Sequence, residues 1–330
     1  MSTPLLEIED LGLTVEDDTD DRLILRGVSL SVGVGEVLSL VGESGSGKSI
    51  TARAVLGMLP RGARTTGSVR FAGSSILDMS SGDLRSYRAR KVAMIFQDPS
   101  AYINPVRRIG DYLTEAVTKV GNMKRATARS RAIELLEAAQ IDGARQLMNR
   151  YPHELSGGML QRVMIAGALM GEPELLLADE PTTALDVTTQ AEVMAILGRF
   201  REEFNLSMLF ITHDLELAAA TADRTAVMYA GRIVEQQPSG ILHESPLHPY
   251  TEGLLGSRPG LGAGPERLTT IKGRPIAAAE VPGGCAFEPR CAFAKEACRQ
   301  ADPRLQRLAS GEVACLRAEE LRETGMNSHA

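Results

Sequence analysis

The stretch Gly42-Glu43-Ser44-Gly45-Ser46-Gly47-Lys48-Ser49 constrains this chain more than any other feature. It fits G-x-x-x-x-G-K-[ST] without a gap and lies between an apolar run, Glu36–Val41, and a helical pattern, Lys48–Leu59. A strand feeding such a turn and then a helix belongs to an α/β protein with a mostly parallel sheet. Gly42, Gly45 and Gly47 let the backbone wrap closely, so that main-chain N–H groups and the helix start face negative charge. Ser44 belongs to the same cradle. In such a loop the Lys48 ammonium meets the outer phosphates of a nucleotide and the Ser49 hydroxyl meets Mg²⁺.

The rest of the first 240 residues agrees with that architecture. Val92–Phe96, Leu175–Asp179 and Ser207–Thr212 are near-continuous apolar runs, as expected of strands covered on both faces. Each ends in chemistry: Gln97 after the first, Asp179 and Glu180 at the second, His213 after the third. A parallel sheet presents such residues at its C-terminal edge, beside the phosphate loop. Asp179 suits Mg²⁺, and Glu180 suits the activation of water. Gln97 suits the metal or the water, and His213 the terminal phosphate. Between Ile109 and Gly171 the pattern is helical, with Arg125–Ala139 the most evident amphipathic stretch, so a helical insertion spans about residues 100–171.

Composition excludes several alternatives. A net charge of −6 over 330 residues is unlike a broad phosphate-tracking face, so nucleic acid is not an expected partner. No apolar run reaches the roughly 20 residues needed to cross a bilayer. Met1–Leu6, followed by Glu7, Glu9 and Asp10, lacks the basic and apolar regions of a secretory leader, so a cytosolic protein is expected. The acidic run Glu16–Asp21 is expected to be a solvated hairpin loop. Beyond about residue 240 the chain turns irregular, with Pro259, Gly260, Gly262, Gly264, Pro265, Pro275, Pro282, Gly283 and Gly284. The expected division is therefore 1–240 and 241–330.

At Leu155-Ser156-Gly157-Gly158-Met159-Leu160-Gln161-Arg162 the chain resembles the signature motif of ABC ATPases, which are P-loop NTPases. In that family the signature of one protomer closes on the ATP held by the phosphate loop of another. Gln97 resembles the Q-loop glutamine, Ala184-Leu185-Asp186 the D-loop, and His213 in Ile211-Thr212-His213-Asp214 the switch histidine. The resemblance covers residues 5 to about 235. It implies ATP and Mg²⁺ as ligands, with Ser156, Gly157, Gly158, Gln161 and Asp186 among the nucleotide-binding residues. Where relatives stack adenine on an early aromatic ring, Leu11–Glu16 offers only Leu13 and Val15.

Within the family, Phe96-Gln97-Asp98-Pro99 leading to Asn104-Pro105, Glu180–Thr188 and His248-Pro249-Tyr250-Thr251 are similar to ATPase subunits of oligopeptide, dipeptide and nickel importers. The wording of Ser100–Ile103 departs from that group. The resemblance implies a peripheral protein on the cytoplasmic face of the plasma membrane. Its partners would be a second, distinct ATPase subunit, two transmembrane permeases and an extracytoplasmic solute-binding protein.

The cysteines Cys285-x5-Cys291-x6-Cys298-x16-Cys315 complete the reading. In a cytosolic setting four thiols suit a metal better than disulfides, and their chemistry alone leaves zinc and iron–sulfur both open. The tail of the peptide importers, which Gly284-Cys285, Pro289-Arg290-Cys291 and Cys298 resemble, implies a [4Fe–4S] cluster in preference to Zn²⁺.

Overall fold

The computed structural model describes residues 3–16, 21–183, 185–257 and 270–324. Its centre is an eight-stranded sheet. From one edge the order is Gln306–Leu308, Gly311–Val313, Arg232–Pro238, Arg224–Tyr229, Val37–Val41, Ser207–Thr212, Leu175–Asp179 and Val92–Ile95. The last five are mutually parallel and the first three antiparallel. Val37–Val41, Leu175–Asp179 and Ser207–Thr212 are buried at every position, which is why they read as unbroken apolar runs. Their register sets Val41 beside Thr212, Ile211 beside Asp179 and Ala178 beside Ile95. The C-terminal ends of four strands therefore stand abreast.

A four-stranded antiparallel sheet, ordered Arg22–Val32, Leu6–Val15, Ala63–Phe71 and Ser74–Ser75, packs over the phosphate-loop side. Glu16 and Asp21, at the ends of the expected hairpin loop, both pair with Arg64; residues 17–20 lie outside the described residues. Among the described residues no helix is long and apolar enough to cross a membrane.

The helix after the phosphate loop is shorter than the pattern suggests, Lys48–Val55 rather than Lys48–Leu59. Gly57 stands at φ 62° and Met58 N–H returns to the Arg53 carbonyl, a left-handed stop that consumes the last carbonyls. The insertion contains Ile109–Lys119, Arg125–Ala138 and Gly157–Leu169, packed as one core with Val187–Phe204 against the sheet. Arg125–Ala138 buries Ala128, Ala132, Leu135 and Leu136 on one side. The cleaner stripe is on Ile109–Lys119, where Ile109, Leu113 and Val117 recur every four residues.

Past residue 240 the chain does not leave the sheet behind. Gly311–Val313 pairs with Arg232–Pro238, and Tyr250 and Phe287 pack on Tyr229. Glu235, fully buried, accepts from the N–H groups of Leu247 (2.7 Å) and His248 (2.9 Å) and from Gln237 Nε2 (2.7 Å). Pro259, Gly260, Gly262, Gly264 and Pro265 of the expected linker lie outside the described residues.

Candidate functional site

The phosphate loop is shaped by what surrounds it. Gly42 cannot carry a side chain, because a Cβ there would lie 2.2 Å from the Met228 carbonyl oxygen. Gly47 caps the following helix at φ 110°, and its Cβ would meet Leu25 and Met228 side chains at 2.7 Å. The Lys48 ammonium, almost fully buried, donates to the carbonyls of Gly42 (2.7 Å) and Glu43 (3.0 Å) across the loop. Burial lowers its pKa, opposed by the charges of Glu180, Asp179 and Glu43.

The strand-end residues converge on this loop. Ser49 Oγ donates to Asp179 Oδ1 at 2.9 Å. Burial raises the Asp179 pKa; the Ser49 hydrogen bond opposes this, and the adjacent Glu180 charge adds to it. A cation at this spot would relieve the cost of the buried carboxylate, so the hydroxyl–carboxylate pair fits Mg²⁺. Glu180 stands at φ 45°, a left-handed conformation costly for a side-chain-bearing residue. Its N–H is tied to the Ile211 carbonyl at 3.0 Å. Among the described residues, Thr183 Oγ1 donates to its Oε2 at 2.8 Å, Gln97 Nε2 donates at 3.3 Å, and His213 Nδ1 lies at 3.5 Å. Ser44, Gly45, Gly47, Lys48, Ser49, Gln97, Glu180 and His213 thus line one open cleft of about 590 Å³.

The residues expected to act on a neighbour's nucleotide do not line that cleft. Ser156 caps Gly157–Leu169, its Oγ accepting from Met159 N–H at 3.3 Å, and Ser156 and Gly157 are exposed. Gly158 follows them, half-buried. Gln161, by contrast, is 2% exposed in the helical core, one turn inside the surface that Ser156 presents. Asp186 caps Val187–Phe204 by accepting from Thr189 N–H (3.0 Å) and Oγ1 (2.8 Å), contacts that lower its pKa. Ala184 of the same loop lies outside the described residues.

Sequence reasoning missed the far wall of the cleft. It is built by Arg22, Leu23 and Ile24 together with Ala277 and Ala278, the latter two from beyond residue 240. Leu13, expected near the base, is 1% exposed in the core under the antiparallel sheet. Alternation along a strand would have identified Leu13 as inward-facing, but no local signal marks Ala277 or Ala278.

The metal expectation for the tail does not hold. Cys285, Cys291, Cys298 and Cys315 come together around one small apolar cavity beside Phe287 and Phe293, all four as free cysteines. Among the described residues, however, no three His, Cys, Asp or Glu side chains form a group able to hold a metal ion, so neither the [4Fe–4S] cluster nor zinc is supported. The cavity the four enclose is about 20 Å³ and its surface is almost wholly apolar. Burial pushes the Cys291 thiol up to about 12 and the Cys315 thiol up to about 11, and raises Cys285 as well. Burial thus favours the neutral thiol at these three cysteines.

Comparison with known proteins gives the family. Residues 25–183 match the ABC transporter family, and residues 234–298 match the oligopeptide/dipeptide transporter C-terminal region. The chain is 44% identical to the oligopeptide transport ATP-binding protein OppD of Escherichia coli K12, over 95% of this chain and 93% of that one. It is 43% identical to OppD of Mycobacterium tuberculosis over 96% of this chain and 52% of that longer protein. Among solved structures, the dimeric ATP-binding cassette MJ0796 in a post-hydrolysis state with ADP and Pi aligns with a TM-score of 0.63 at 27% identity, over 71% of this chain and 98% of that one. The cbiO1 subunit from Clostridium perfringens, part of the ABC transporter complex cbiONQ, aligns with a TM-score of 0.63 at 26% identity, over 74% and 92%. With a phosphate cradle, a Ser49–Asp179 hydrogen bond and a strained strand-end glutamate gathered at one cleft, and with this likeness along almost its whole length, the chain belongs to the ATP-binding proteins of the oligopeptide/dipeptide type of ABC transporter.

Proposed function

We propose that this ATPase energises the import of peptides through partner permeases by closing head-to-tail with a second ATPase subunit on two molecules of MgATP. The observation that carries the reading is a division of labour. Lys48, Ser49, Glu180, Gln97 and His213 line one cleft, with Asp179 buried behind Ser49 and bonded to it, while Ser156 and Gly157 stand exposed at a helix start outside the cleft. An exposed Ser-Gly-Gly at a helix N-terminus is suited to an anion brought by another molecule.

In the closed pair, Lys48 and the loop N–H groups hold the outer phosphates. Ser49 and Asp179, with Gln97, would hold the Mg²⁺ that accompanies the nucleotide, which would supply charge neutralisation on the phosphates. Glu180 polarises a water and accepts its proton as the oxygen attacks the γ-phosphorus, ADP leaving with the β-phosphate oxygen. His213 steadies the γ-phosphate, and the facing subunit's signature completes the charge stabilisation, as Ser156, Gly157 and Gly158 of this chain do for the nucleotide held by the facing subunit. Asp186 lies on the loop between the two sites. Gln161, expected among the nucleotide-binding residues, lies on the helix that Ser156 caps but is buried in this subunit's own core.

The finer assignments belong to the same proposal: a second ATPase subunit distinct from this one, two transmembrane permeases, and an extracytoplasmic binding protein that selects the cargo. The chain would sit peripherally on the cytoplasmic face of the membrane, divided near residue 240. The test is phosphate release by the complex purified from membranes and reconstituted in vesicles, with and without loaded binding protein. Peptide-stimulated release coupled to uptake is expected. Release that no co-purifying permease influences would refute the transport reading.

A further inference from the structure

Glu43, the second residue of the phosphate loop, is gripped from the C-terminal extension at two points. Its backbone N–H donates to the hydroxyl of the buried Tyr250 at 3.0 Å. Its carboxylate accepts from both terminal nitrogens of Arg290, at 2.6 and 3.1 Å, a bidentate pair bridging 247 positions of sequence. Arg290 is itself held in place. Its Nε donates to the Lys272 carbonyl at 3.0 Å, and its guanidinium lies 5.8 Å from the centroid of the Tyr229 ring. The Arg290 side chain is 5% exposed and that of Glu43 is 24% exposed.

The phosphate-loop pattern leaves this position unspecified, and a carboxylate there works against the loop's task. A polyanion must settle on backbone N–H groups one or two residues away, where a fixed negative charge is repulsive. The same charge reaches Lys48, the cation of the cradle. A bidentate, desolvated guanidinium is the arrangement that cancels such a charge while fixing its geometry.

We propose that Arg290, supplied by the C-terminal extension, is a positioning residue of the ATP site that acts through Glu43, cancelling a negative charge that would otherwise stand beside the phosphates, while Tyr250 separately holds the Glu43 backbone. The proposal rests on the ATP site argued above and gives the extension a part in it. The extension is then a component of the nucleotide site rather than an appendage to it.

Equilibrium binding of MgATP to the full-length chain tests this, comparing wild type, Arg290→Ala, Glu43→Gln and the double variant at low and high salt. Arg290→Ala strands the carboxylate and should weaken binding about tenfold at low salt, less at high salt. The double variant removes the stranded charge and should return to within about threefold of wild type. Unchanged binding in Arg290→Ala overturns the proposal, as does a double variant no better than Arg290→Ala, since the loss would then be structural. Should Arg290→Ala fail to fold, Glu43→Gln alone decides: with Arg290 left positive beside the loop, it should bind MgATP a few-fold tighter, and weaker binding refutes the idea. A wild-type chain that binds no MgATP would instead defeat the ATP reading itself.

Discussion

Replacing Glu180 by Gln removes one charge and keeps the length of the side chain. The amide oxygen can still accept from Thr183, which donates to Glu180 at 2.8 Å, so the left-handed turn at φ 45° keeps its local anchor. The charge removed is one that adds to the burial raising Asp179, so the neighbouring carboxyl should hold its own charge more readily. MgATP affinity is therefore expected to stay within about threefold of wild type or to tighten, a change of about 0.6 kcal/mol or less. The chemical step should fare differently. An amide cannot take the proton from attacking water, and loss of such a group costs about 10²–10⁴-fold, or about 3–5 kcal/mol of barrier. The assay pairs phosphate release by the reconstituted transporter with nucleotide binding on the same sample. A turnover within tenfold of wild type would remove Glu180 from the chemistry. Binding that falls together with turnover would make it an ATP-holding group instead.

Gly47→Ala places a Cβ at φ 110° and 2.7 Å from Leu25 and Met228; strain and overpacking together should cost about 2–4 kcal/mol in a denaturant titration. A loss below about 0.5 kcal/mol would mean that Leu25 and Met228 yield freely around the added methyl, refuting the tight cradle. Ser156→Arg should leave MgATP binding by the isolated chain unchanged, because Ser156 does not line its own cleft, yet lower phosphate release by the assembled complex about 100-fold. Equal loss in both measurements would sink the two-subunit site. His248, wholly buried, has its pKa lowered by burial from 6.5 to about 4. Between those values the unfolded chain binds the proton and the folded chain does not, so this stabilising contribution is complete above about pH 6.5 and declines as pH falls toward 4. The difference in thermal stability between wild type and His248→Gln should therefore shrink across that window while Glu235 remains common to both, and a pH-independent difference would refute the assignment.

Much of the site was legible because its parts are contiguous. The run Gly42–Ser49, the pair Asp179-Glu180 and the residues Gln97 and His213 each declare themselves next to a buried strand. One physical rule, that parallel strands deliver their C-terminal ends to one edge, brings them together. The register observed, Val41 beside Thr212 and Ile211 beside Asp179, is that rule realised. The capping role of Ser156 could likewise be read from Ser-Gly-Gly before a helical run.

What the sequence could not decide depends on environment rather than residue type. Gln161 follows the signature closely in the chain, but helix phase turns it into the core, where it is 2% exposed. The cysteine spacing carries the look of a ligand set, but the folded chain sets the four around a small apolar cavity, where among the described residues no group able to hold a metal forms. Arg290 reaches Glu43, and Ala278 reaches the nucleotide cleft, because Gly311–Val313 joins the sheet and Phe287 packs on Tyr229 and Tyr250. By itself, then, the sequence determined the fold and the phosphate chemistry, since both are written in local runs of polarity and glycine. Tertiary structure decided which groups stay charged and how the extension grips the loop, because desolvation and contacts between distant segments exist only once the chain has closed on itself.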